Sequence, residues 1–192
     1  MQLQPLLSPA EIDRLLTQHT ITDASPWVTD DDASIEKHLK TACAAVTHST
    51  GCESKVDWDH YGSGYASYVD AWFYKATPEF HPERRSGIGE EYTGLVVLLS
   101  RLSPYFVLME GYKQWHANGS SSYMPAFDML DRINTPAVSL LARQVQGVLE
   151  EKGFIRVLRA QLEAPLETSL RVPTIMADDG FTQFDALFYW ED

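Results

Sequence analysis

Cys43, His48, Cys52 and His60 carry the sulfur and nitrogen donors that suit zinc. Their spacing makes no paired Cys-x-x-Cys knuckle, and Cys43 falls on an apolar helical stripe. They therefore read as buried thiols and surface imidazoles, and no metal site is expected. Ser63 lies between glycines, but Gly62-Ser63-Gly64 is not a Gly-x-Ser-x-Gly nucleophile elbow and has the look of a hairpin tip. The Walker and dinucleotide fingerprints are absent, so no cofactor is expected. The adjacent acids Glu90-Glu91 and Asp178-Asp179 could act as acid and base or bind a divalent cation, although on exposed turns such pairs mostly confer solubility. An enzyme working on a small molecule through Glu90, Glu91 and His116 would need those three groups to converge in a pocket.

Charge narrows the alternatives further. The chain has 27 Asp and Glu against 15 Lys and Arg, a formal charge of -12 and a pI near 4.8. Neutralising phosphates requires clustered Lys and Arg, which argues against nucleic acid and against anionic membrane surfaces as partners. Apolar runs such as Leu95 to Leu99 are too short to cross a bilayer, and Met1 to Leu7 lacks the features of a secretory signal, so a cytoplasmic protein is expected. Acids with Tyr and Trp beside them suit docking onto a basic protein rather than catalysis. The expected contacts are Asp57 and Asp59 on the outer face of a strand, Glu90 and Glu91 at the start of another, and Tyr61 and Trp115 as aromatic anchors.

The elements that must position these residues follow from pattern. Ser8-Pro9-Ala10-Glu11 is a capping box opening a helix to about Gln18. Asp30 to Asp32 precede a second helix with its stripe at Ile35, Leu39, Ala42, Cys43 and Val46. Lys55 to His60 alternates as a half-buried strand, and Gly62 to Gly64 turns it into a strand over Tyr65 to Lys75. Thr77 to Gly89, with Arg84 and Arg85, reads as an exposed loop. Tyr92 to Ser100 is apolar on both faces and predicts a central strand, paired through Arg101 to Pro104 with Tyr105 to Tyr112. Asn118 to Ser122 reads as a loop, Thr135-Pro136 opens a helix ended by Gly153, a short helical piece follows near Arg159 to Leu166, and Phe184 to Trp190 predicts a last strand. The sum is one α+β domain, an antiparallel β-sheet packed with several helices.

Three segments carry a resemblance: Gly89-Glu90-Glu91-Tyr92-Thr93-Gly94 entering the apolar strand, Tyr105 to Trp115, and Phe184-Asp185-Ala186-Leu187-Phe188-Tyr189-Trp190-Glu191-Asp192. Together they resemble bacterial immunity proteins of polymorphic toxin systems, notably those accompanying nuclease-type toxins of type VI secretion or Rhs systems. The resemblance implies an acidic α+β protein that is not an enzyme. It would stay in the cytoplasm of the producing cell and block the active site of a cognate, basic toxin domain. A weaker-binding adaptor or chaperone for a secreted effector would use the same surface.

Overall fold

The computed structural model describes residues 5–82 and 87–192. Runs rich in aromatic and β-branched residues form the strands: β1 (Glu53–Asp57), β2 (Tyr65–Ala66), β3 (Tyr68–Tyr74), β4 (Glu90–Ser100), β5 (Tyr105–His116), β6 (Gly119–Ser122), β7 (Ile155–Arg156) and β8 (Trp190–Glu191). The main sheet runs β1-β3-β4-β5-β6 with each neighbour antiparallel, and β7 adds to β5 in parallel. The small β2 and β8 pair with each other. With the helices this is an α+β fold around one hydrophobic core, and the expected central strand is β4.

Caps set the helices. In α1 (Pro9–Leu16), Ser8 and Glu11 form the reciprocal box, with the Ser8 N–H donating to Glu11 Oε2 at 2.8 Å. In α2 (Asp32–Thr50), Asp31 accepts from the Ser34 N–H at 2.9 Å, and Gly51 ends the helix in the left-handed region. In α3 (Pro136–Glu151), proline fixes the first turn, while Glu110 of β5 accepts from the backbone N–H groups of Asn134 and Thr135. The apolar stripes of α2 and α3 face inward; α3 packs across β4 and α2 lies beside α3. Two short helices, α4 (Arg159–Leu162) and α5 (Gln183–Leu187), complete the set. Among the described residues no helix is long and apolar enough to cross a membrane.

Register sorts the sheet into two unlike faces, because directly paired residues point the same way. One face carries Val69, Ala71, Phe73, Leu95, Val97, Leu99, Phe106 and Leu108, all buried in the core. The other carries Lys55, Asp57, Asp70, Trp72, Tyr74, Tyr92, Lys113 and Trp115. On this second face Gly94 and Gly111 stand directly opposite each other in β4 and β5. Their missing side chains leave a trough for the Trp72 indole, whose Nε1 donates to the Gly111 carbonyl at 3.0 Å. A Cβ on Gly94 would lie 2.5 Å from the Trp72 ring, and one on Gly111 would lie 2.4 Å from the Tyr123 ring.

Several local expectations change. Asn118 to Ser122 is not a loop, since Gly119–Ser122 pairs with Lys113 to His116 as β6; serines at an exposed edge hide the strand from a hydrophobicity reading. The stretch expected as a last strand is instead α5 followed by β8. Thr182 and Asp185 form a capping box that starts a helix, and a short apolar run alone cannot distinguish the two states. The strand expected over Lys55 to His60 begins earlier and stops at Asp57, and the strand expected over Tyr65 to Lys75 breaks at Ser67. Pro78–Phe80 forms a 3-10 turn, while Arg84 and Arg85 lie outside the described residues.

Two predictions follow from this packing. Replacing Gly94 or Gly111 by Ala should cost about 1–3 kcal/mol by urea unfolding, the usual penalty of overpacking. Replacing Gly147, where a Cβ meets nothing within 4 Å, should stabilise α3 by about 0.5–1 kcal/mol; equal effects at all three positions would sink this reading of the trough. Separately, His38 of α2 stacks on Phe154 with ring centres 5.1 Å apart and meets the edge of Trp27 at 5.4 Å. Burial lowers its pKa from 6.5. The unfolded chain therefore binds that proton more readily, so this contribution to stability is full above about 6.5 and falls as the pH drops. His38→Phe should remove that part of the pH dependence in a series of denaturation midpoints.

Candidate functional site

Asp70 is the lone carboxylate in the aromatic run of β3, and it is only 5% exposed. Burying an ionised carboxylate without compensation is costly. Two hydroxyls meet the cost: Tyr123 donates to Oδ1 at 2.5 Å and Tyr61 donates to Oδ2 at 2.8 Å. Among the described residues no Lys, Arg or His forms an ion pair with it. Burial raises the Asp70 pKa above 3.8, opposed by hydrogen bonds from Tyr123 and Tyr61 and by the field of Lys113.

Tyr61 reaches Asp70 through an unusual piece of backbone. After β1 the chain turns with His60, Tyr61 and Gly62 all left-handed, at φ 50°, 56° and 83°. For residues with a side chain this conformation costs roughly 1–2 kcal/mol each. Local bonds hold it: Asp57 Oδ1 accepts from the Tyr61 N–H at 2.8 Å, and His60 Nδ1 accepts from the Ala66 N–H at 2.9 Å. β8 braces the turn from outside, where Trp190 Nε1 donates to the Ser63 carbonyl at 3.1 Å and a Cβ on Gly64 would collide with the Glu191 backbone. Tyr123 arrives from the end of β6, its ring resting over Gly111.

These groups line a cleft of about 410 Å³, with Asp57, Asp70, Lys55, Lys113, Tyr61 and Trp190 in its walls. Both lysines are engaged. Lys113 Nζ donates to Ser122 Oγ at 2.8 Å and sits 4.5 Å from the centre of the Tyr123 ring, while Lys55 Nζ lies 4.2 Å over Trp115. Beyond the rim the acids gather. Asp30, Asp32 and Glu191 act electrostatically on Tyr65, and Glu36, Asp57 and Asp32 act on the half-buried Arg101.

The expected contact residues divide between three places. Asp57 and Tyr61 belong to the cleft, and Asp59 is exposed at the entry to the left-handed turn. Glu90 and Trp115 pair eight residues along β4 from the level of Asp57 and Asp70, where Trp115 Nε1 donates to Glu90 Oε2 at 2.9 Å, although the Trp115 ring leans back to meet Trp72 and Lys55 of the cleft wall. Glu91 leaves the expected surface altogether: alternation turns it to the opposite face, where it is 1% exposed and accepts from the Tyr112 hydroxyl at 2.9 Å. His116 lies on that opposite face too, its Nδ1 accepting from the Asn118 N–H, so Glu90, Glu91 and His116 do not converge. Asp70, Tyr123 and Lys113 were not anticipated. The signal that could have found them is a single acid inside Tyr68-Val69-Asp70-Ala71-Trp72-Phe73-Tyr74.

Cys43 and Cys52 are free, buried thiols, and burial pushes that of Cys43 up to about 12, so neither is an activated nucleophile. Among the described residues no group of three or more His, Cys, Asp or Glu side chains is arranged to hold a metal ion.

Since the folded state binds the Asp70 proton more tightly than the unfolded chain does, this residue's stabilising share is greatest below 3.8 and is lost as the pH rises through the folded value. Tyr123→Phe should cost about 1.5–3 kcal/mol at neutral pH and steepen that loss, whereas Asp70→Asn should flatten it. Urea midpoints between pH 4 and 8 measure both, and identical slopes for wild type and Asp70→Asn would contradict the assignment.

No protein-family model, curated protein or solved structure matches this chain.

Proposed function

We propose that this chain is an immunity protein, one that binds a cognate bacterial toxin domain in the cytoplasm of the producing cell and covers its active site. The observation that carries the reading is that Asp30, Asp32, Glu36, Asp57 and Glu191 are near enough to act electrostatically on Tyr65 or Arg101 at one end of the sheet, an excess of acid even with Glu36 paired to Lys40 and Asp30 bonded to His19. A toxin that acts on nucleic acid presents a basic groove, and carboxylates held on a rigid surface can occupy the positions of phosphates there. Tyr61, Tyr65 and Trp190 among these acids provide aromatic area of the kind that anchors protein interfaces. Glu90 and Trp115, at the other end of β4, form a secondary contact in this reading. Catalysis is not part of it, and neither is a cofactor.

Co-expression with any toxin domain found encoded beside this gene tests the proposal. Neutralisation of toxicity with one-to-one binding is expected. Reversing Asp32, Glu36 and Asp59 to Lys should weaken binding at least about tenfold at low salt, about 1.4 kcal/mol, chiefly through slower association. Unchanged affinity would overturn the acidic docking surface. Binding that leaves the partner active would favour an adaptor or chaperone.

A further inference from the structure

Register places Asp57 of β1 directly opposite Asp70 of β3 on the same face. Like charges at such a pair repel, and Asp57 adds to the burial that already disfavours ionisation of Asp70. Neither has a direct ion pair among the described residues: Lys55 is turned onto Trp115, and Lys113, held by Ser122 and the Tyr123 ring, acts on both carboxylates only as a field across the cleft. Each Asp70 oxygen accepts one tyrosine hydroxyl, which leaves further acceptor capacity on both. The walls are the aromatic rings of Tyr61, Tyr123 and Trp190, with Tyr61 held in place by a strained, multiply bonded turn. A carboxylate pair without a direct ion pair, at the base of an aromatic cleft, is complementary to a planar cation that can reach both. A guanidinium can fork onto carboxylate oxygens and stack on rings together, which an ammonium cannot do.

We propose that the Asp57–Asp70 cleft is the socket for one arginine side chain of the protein partner, with the guanidinium on the two carboxylates and its plane against Tyr61 and Trp190. This rests on the immunity reading for the identity of the partner, though not for the chemistry of the socket. It gives the docking surface a desolvated centre inside a rim of solvated acids, the arrangement in which a few buried anchors dominate binding.

N-acetyl-arginine amide, titrated into the full chain and followed by amide and indole NMR shifts, tests the socket without the partner. Saturable shifts at Asp57, Tyr61, Asp70, Tyr123 and the Trp190 indole are expected, with roughly millimolar affinity, weakened at least about tenfold in Asp70→Asn. Asp57→Asn should weaken it as well and serves as the readout if the Asp70 variant does not fold. No saturable response, an undiminished response in both variants, equal or tighter binding of N-acetyl-lysine amide, or preferential binding of N-acetyl-glutamate through Lys55 and Lys113 would each overturn the proposal. Toxin neutralisation is scored separately. Neutralisation without arginine-amide binding removes the socket and leaves the immunity reading, whereas arginine-amide binding without neutralisation does the reverse.

Discussion

A carboxylate placed inside a sheet is the constraint around which this end of the molecule is arranged. Asp70 cannot be left bare in the interior, and the two groups that satisfy it come from separate parts of the chain. Tyr123 is delivered by β6, whose serine-rich sequence has little propensity of its own to form a strand. Tyr61 is delivered by three successive left-handed residues, a conformation that side chains ordinarily avoid. Strain of this kind persists only where the surroundings over-determine it, and here Asp57, His60, Ser63 and Gly64 all take part.

The same face shows how a flat aromatic is accommodated against a sheet. Trp72 is fully buried although it projects from the less covered side, because paired glycines let its ring lie along the backbone instead of standing away from it. That indole then forms the base for Tyr74 at 4.4 Å and for Trp115 edge-on at 6.1 Å. Acids and lysines at this surface are thus mounted on a stiff aromatic layer and not on mobile loops.

Much of the framework was legible because it rests on local chemistry. Ser8 with Glu11, Asp31 ahead of Ile35, and Thr135-Pro136 ahead of Val138 announce their helices, and the uniformly apolar Leu95 to Leu99 announces a strand covered on both sides. The site was less legible because it depends on register. Whether Glu90 or Glu91 faces solvent is a matter of one residue's parity against β5, and nothing in the pair itself reveals it. Asp57 and Tyr61 were recognisable as candidates, yet their shared partner Asp70 looks from sequence like one more strand residue. The C-terminal stretch shows the opposite difficulty: Thr182 and Asp185 carry a helix signal that the apolar residues after them obscure.

The bracing of the Tyr61 turn by β8 has a temporal side. Ser67 bonds to the backbone of Leu187 and Tyr189, about 120 residues downstream, and Tyr189 in turn donates to Leu15 while Gln183 exchanges hydrogen bonds with Leu7. During synthesis the early hairpin emerges long before its support exists, and at translation speeds of roughly 5–20 residues per second the delay is several seconds or more. Throughout that interval only the local bonds from Asp57 and His60 hold the Tyr61 turn left-handed. The Asp70 end of the sheet is therefore completed only once β8 is in place, and a ribosome-bound chain presents its acids without that outer brace.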